Sequence, residues 1–192
     1  MGRARPREDE ASPYVGRGGL KLRFALDQFS IDVRGMTAID LGSHVGGFVD
    51  CLLQAGATRV YAVDTAYGTL AWKLRQDARV IVCERTNALH WTPPEIVPIV
   101  TIDAGWTRQS LILAAAMTMV GQGGTILSLV KPQYEAPKEL LTRGVVPEGN
   151  LAAILDNARR AIPPGLELVG EVRSPYLGSG GNVEYWWRLR LG

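Results

Sequence analysis

At 192 residues, with 46% hydrophobic and 21% charged side chains, the chain has the size and composition of a single globular domain, which excludes a disordered or fibrous protein. The sequence has no run of about 18 apolar residues to span a membrane, no apolar segment behind MGRARPREDE to act as a secretory signal, and only two cysteines, too few for a disulfide framework or a metal cluster; these features favour a reduced, cytoplasmic protein. Formal net charge is +2, but residues 1–25 hold six basic and three acidic side chains, so a leader of +3 precedes a body of −1, a distribution that suits a phosphate-bearing partner.

Residues 1–13 contain Pro6 and Pro13 and no periodicity, and read as a flexible basic tail ahead of one domain over 14–192. A helix is predicted from about Gly19 to Phe29, with Leu20, Phe24 and Leu26 on an apolar side. Strand and helix then alternate. Strands are expected at Thr37–Gly42, Arg59–Asp64, Val80–Cys83, within Ile96–Asp103 (Pro98 delaying its start), and at Thr125–Val130. Helices are expected at Gly47–Gln54, Leu70–Arg75 and Ser110–Val120, the last stopped by Gly121, Gly123 and Gly124. A helix over Glu148–Ile162 and strands at Leu166–Val172 and Val183–Leu191 complete the chain. This order predicts an α/β fold: a Rossmann-like, doubly wound, seven-stranded sheet, mostly parallel, with a C-terminal antiparallel hairpin.

Asp40-Leu-Gly-Ser-His-Val-Gly-Gly47 lies between the first strand and its helix, where glycines let backbone approach a ligand. Asp64 ends the second strand, where a carboxylate can accept hydrogen bonds from a ribose diol. The spacing is not G-x-G-x-x-G, and Asp40 would repel a pyrophosphate but suit a cationic amino-acid cofactor, which favours S-adenosylmethionine over NAD. The cofactor residues expected are Asp40, Gly42, Ser43, His44, Gly46, Gly47, Phe48, Asp64, Thr86, Asn87 and Asp103, with Asn87 near the adenine edge. A plain strand-to-helix turn, with Asp40 capping the helix, is the bland alternative.

Lys131 and Asp103 each end an apolar strand, at the sheet edge where ligands of open α/β sheets sit. An unpaired lysine there would lose basicity and could accept a proton. Surface salt bridging is the ordinary fate of such residues, and spacing alone does not bring Lys21 or Glu184 near them. Trp106, just past Asp103, is the best candidate among the tryptophans for stacking on a base, whereas Trp72 and Trp186 read as core.

Several blocks resemble one family. Gly16-Arg-Gly-Gly-Leu-Lys21-Leu, Asp40 to Gln54, Val60-Tyr-Ala-Val-Asp64, Leu70 to Asp77, Glu84 to Ala88, Leu129-Val-Lys-Pro-Gln133 and Gly181-Asn-Val-Glu184 are similar, in order, to the TlyA/haemolysin A group of FtsJ-like methyltransferases. The resemblance implies ribose 2′-O-methylation of RNA, ribosomal RNA above all, with S-adenosylmethionine as donor and no metal. It also implies a Lys-Asp-Lys-Glu tetrad at Lys21, Asp103, Lys131 and Glu184, with Lys131 activating the hydroxyl.

The sequence departs from the group at three places. The small RNA-binding domain that usually precedes the enzyme is not expected ahead of this one, Ala104-Gly105-Trp106 stands for Val-Ser-Phe, and Ser43-His44-Val45 for Ala-Ser-Thr. RNA grip is therefore expected from the basic residues Arg3 to Arg23. The competing readings are a methyltransferase on a small-molecule or other acceptor, and a non-catalytic RNA-binding or haemolysin-like protein.

Overall fold

The computed structural model describes residues 12–192, so Arg3, Arg5 and Arg7 of the expected basic tail lie outside the described residues. Seven strands form one sheet in the order β3-β2-β1-β4-β5-β7-β6. They are β1 (Thr37–Leu41), β2 (Arg59–Val63), β3 (Val80–Cys83), β4 (Val97–Ile102), β5 (Val120–Val130), β6 (Leu166–Arg173) and β7 (Tyr185–Leu191). The first five pair in parallel, while β7 inserts antiparallel between β5 and β6. The fold class is the one expected.

The central strands are apolar because both faces are covered. Helices α1 (Gly18–Gln28), α2 (Gly47–Gln54) and α3 (Trp72–Arg75) close one face over Leu22, Leu26, Phe48, Leu52 and Leu74. Helices α4 (Gln109–Met117) and α6 (Glu148–Arg160) close the other over Ile112, Leu113, Leu155 and Ala158. A single turn, α5 (Pro132–Glu135), follows β5, with Pro132 in its first turn where the missing N–H costs nothing. Strand order reverses at β1/β4, so the loops after those strands diverge and leave a crevice at the carboxyl edge. No described helix is long and apolar enough to cross a membrane.

The structure corrects three expectations. β5 starts at Val120, not Thr125, and runs through the glycines read as helix stops. Its register against β4 jumps from Val97↔Val120 to Ile99↔Thr125, and Gly123 (φ 72°) supplies the kink that absorbs the extra residues. Pro98 lies inside β4 and does not delay it, because it sits in that register break, where no ladder bond needs its N–H. Trp72 is not core: it is 73% exposed, since the four-residue α3 buries only Leu74. Trp186 is buried, tilted against Phe48 at 5.4 Å between centroids.

Candidate active site

After β1 the chain turns at Gly42 (φ 88°), and the N–H groups of Gly42 and Ser43 both donate to the Val63 carbonyl, at 2.9 and 3.1 Å. A Cβ on Gly42 would lie 2.7 Å from the Asp103 carbonyl oxygen, so only glycine lets this loop pass the end of β4. The next turn places His44 in the left-handed region (φ 46°), and its N–H donates to Asp64 Oδ2 at 2.7 Å. Asp64 Oδ1 accepts the Ala66 N–H at 2.7 Å. Two local backbone donors thus fix the Asp64 carboxylate while it still faces a cavity of about 490 Å³. Thr86 donates its N–H to the Asp64 carbonyl at 2.9 Å, and Asn87 Oδ1 accepts from Leu89 N–H at 3.0 Å.

That cavity brings together Gly42, His44, Asp64, Thr86, Asn87 and Asp103, and Lys131 stands on its wall. A smaller recess of about 180 Å³ adjoins it across Gly42, His44 and Asp103, and is lined by Ser43, Gly47, Phe48 and Arg17 among others. Gly46 lines neither cavity. At φ 97° it faces α3, where a Cβ would collide with Leu74. Asp40 is also apart from both: it is fully buried, and Oδ1 accepts the Thr101 hydroxyl at 2.7 Å while Oδ2 has no partner. Burial pushes its pKa up to about 8, against the lowering effect of Thr101 and with help from the charges of Asp103 and Asp64. It therefore supports the loop from behind and does not cap α2, whose N-terminus has no side-chain cap.

The four residues assigned by resemblance form two ion pairs. Lys131 Nζ lies 2.6 Å from Asp103 Oδ1 without the alignment of a hydrogen bond, so the two strand-end side chains do come together, as an ion pair. Lys21 Nζ donates to Glu184 Oε2 at 2.5 Å across 163 residues of sequence, with both side chains buried. The pairs adjoin. Antiparallel pairing sets Val130 opposite Tyr185, so Lys131 and Glu184 are the next step on neighbouring strands. Burial raises the Glu184 pKa, Lys21 opposes that rise, and the charges of Asp103 and Lys131 both act on it. Gly178 packs against the Glu184 carboxylate so closely that a Cβ would not fit.

Sequence reasoning missed Tyr134. Its ring centroid lies 5.3 Å from that of Trp106, which is 90% exposed, and 5.9 Å from Lys131 Nζ. The available signal was spacing: Lys131 and Tyr134 are one helical turn apart, and α5 turns both toward the same edge.

Residues 14–191 match the model of the FtsJ-like methyltransferases. YqxC of Bacillus subtilis is 42% identical over 185 residues, covering 92% of this chain and 65% of that protein. The 16S/23S rRNA (cytidine-2′-O)-methyltransferase TlyA of Mycobacterium tuberculosis is 42% identical over 188 residues, covering 95% of this chain and 70% of its own. The chain thus spans about two thirds of the length of these curated relatives. Among solved structures, one from Streptococcus thermophilus, assigned as a hemolysin, superposes with a TM-score of 0.91 at 38% identity, covering 96% of this chain and 69% of that one. With residues 14–191 matched by the family model and 42% identity to curated relatives over nearly its whole length, this chain belongs to the FtsJ-like methyltransferase family.

Proposed function

We propose that this chain transfers a methyl group from S-adenosylmethionine to a ribose 2′-hydroxyl of ribosomal RNA, which sets its work in the cytoplasm. The observation that carries the reading is the Lys131–Asp103 pair on the wall of the cavity that also holds Asp64. The residues present fit the cofactor. Asp64 has both oxygens fixed and can still accept from two ribose hydroxyls, and Gly42 leaves room for a ligand against backbone. Asn87 and Thr86 line the adenine side, while Ser43, Gly47 and Phe48 border the recess suited to the amino-acid end. When bound, S-adenosylmethionine supplies an electrophilic methyl on a sulfonium centre that leaves as a neutral thioether.

Lys131, held at the strand end by Asp103, orients the 2′-hydroxyl; once its ammonium has given one proton to solvent, the free amine takes the hydroxyl's proton as the oxygen attacks the methyl group. Lys21 and Glu184 hold the neighbouring charge balance and keep the site closed to bulk water by their burial. Trp106, paired with Tyr134, offers an exposed aromatic face on which the acceptor's base can stack. The relation to TlyA supports ribosomal RNA as the acceptor.

Tritiated methyl incorporation into total RNA, with small and large ribosomal subunits offered separately, tests the reading. Label should enter RNA and reside in an alkali-resistant dinucleotide. Lys131→Ala should bind the cofactor as the parent does yet lose about 10²–10⁴-fold in rate, because a proton-transfer role is exercised only in the transition state. Label that never enters RNA overturns the acceptor, and a parental rate in the variant overturns the role of Lys131.

A further inference from the structure

We propose that Arg143 is a dedicated contact for an RNA phosphate next to the acceptor nucleotide, presented by a two-residue hairpin that the buried side chain of Asn182 clamps to the catalytic edge. The proposal rests on the RNA reading above.

The hairpin spans Thr142 to Val145, whose backbone groups exchange hydrogen bonds at 2.8 and 3.0 Å. Both central residues have positive φ, 53° at Arg143 and 81° at Gly144, the pattern of a type I′ turn. Glycine or asparagine suits the first of these positions; an arginine there stores about 1 kcal/mol or more of backbone strain. Five non-glycine residues of the described chain have positive φ, namely Ser30, His44, Arg85, Trp106 and Arg143. His44 and Trp106 line the cavity and Arg85 precedes its Thr86; of the two that do not, Ser30 closes the end of α1, and Arg143 stands at a hairpin tip.

Asn182 explains how the strain is held. Its Oδ1 accepts the Val146 N–H at 3.0 Å, its Nδ2 donates to the Gly144 carbonyl at 2.9 Å, and the residue is buried. One amide thus grips the hairpin just past its tip. Asn182 has extended backbone and precedes Glu184 by two residues, so it stands about 7 Å further out along the same strand direction. The clamp ties the hairpin to the segment that runs through Glu184 into β7, whose first residue, Tyr185, pairs with Val130 next to Lys131.

The charge at the tip is available. Arg23, Arg34, Arg59, Arg75, Arg79, Arg159 and Arg173 each pair with a carboxylate, whereas the exposed Arg143 side chain has no polar partner among the described residues. A strained, clamped, unneutralised guanidinium on the hairpin that Asn182 ties to the Glu184 segment is matched to a phosphodiester, which accepts its paired donors.

The test is steady-state methylation of the RNA substrate by Arg143→Gly, which keeps the turn and relieves its strain, and by Arg143→Lys, which keeps the charge. Arg143→Gly should raise KM for RNA about five- to tenfold with kcat within about twofold, leave cofactor affinity unchanged, and not lower Tm. The slope of log KM against log salt should shrink by about 0.7–0.9, one phosphate contact, and Arg143→Lys should restore most of it. Asn182→Ala should raise KM similarly, and adding it to Arg143→Gly should raise KM little further, since both act on one contact. A parental KM and salt slope in Arg143→Gly overturn the proposal. So does a KM loss that Lys fails to restore and that comes with a lower Tm, which assigns the residue a structural role. If the parent neither binds nor methylates RNA, the acceptor reading itself falls and the contact falls with it.

Discussion

On the β1–β3 side of the switch point, the cavity wall is made of backbone and one carboxylate, and the bonds that fix that carboxylate span short stretches: His44 and Ala66 donate to Asp64 across 20 and 2 residues. On the β5–β7 side, the wall is made of charged side chains, and the decisive contact, Lys21 to Glu184, joins groups 163 residues apart. The first side tolerates error in its side chains because backbone amides need no partner of a particular type. The second rests on buried charges, which are costly alone and stable only in pairs. Cofactor binding and acceptor chemistry should therefore fail independently, and with different stability signatures.

The largest expected effect lies on the charged side. Glu184→Ala leaves the Lys21 ammonium buried without its partner, and should lower unfolding free energy by about 3–5 kcal/mol, read as a lower urea midpoint. Converting Lys21 and Glu184 together to methionine should recover most of that loss while methylation stays low. A single variant as stable as the parent would erase the contrast between the two sides.

On the local side the cost should appear in binding. Asp64→Ala should weaken S-adenosylmethionine by more than about tenfold in calorimetry, because ribose hydroxyls lose their acceptor and the His44 and Ala66 N–H groups lose theirs. Unchanged affinity would sink the assignment of this wall.

A pH dependence sharpens the boundary between the two sides. Asp40 stands behind the loop with a pKa raised from 3.8 to about 8, so the folded state binds its proton more tightly than the unfolded chain does. Its contribution to stability is full below about pH 4 and is lost as pH rises through about 8. Asp40→Asn, which cannot ionise, should flatten the fall in Tm between pH 5 and 8, measured by differential scanning calorimetry. A parental pH slope in the variant would show that Asp40 is ionised at neutral pH.

This asymmetry also explains what could be read before the fold was known. The apolar runs of β1, β2 and β3, the glycine turn and Asp64 declare themselves within about 50 residues, since periodicity and turn chemistry are local. The burial of Asp40 was not legible, because Thr101, the residue that bonds it, lies on the adjacent strand 61 residues on. The early start of β5 was hidden because Gly121 to Gly124 read as a stop, and only the register slip against β4 shows them spanning a bulge. Lys21 and Glu184 were identifiable through family likeness alone. No pattern in either segment says that helix α1 and strand β7 meet.

That meeting has a consequence for how the molecule comes into being. β7 sits between β5 and β6, so the sheet cannot be completed in the order in which the chain is synthesised. The amide ladder that β7 offers β5 from Thr125 to Val130 stays open until its residues have been made. A nascent chain reaching only to α4 already carries Asp64, Thr86 and Asn87 on their strand ends, whereas Lys21 is still without Glu184. Closing a contact over 163 residues is slow because loop-closure entropy must be met before the contact forms. On the proposed function, the wall that carries Asp64 can form before the one that pairs Lys21 with Glu184, so acceptor chemistry waits on that contact of long sequence separation.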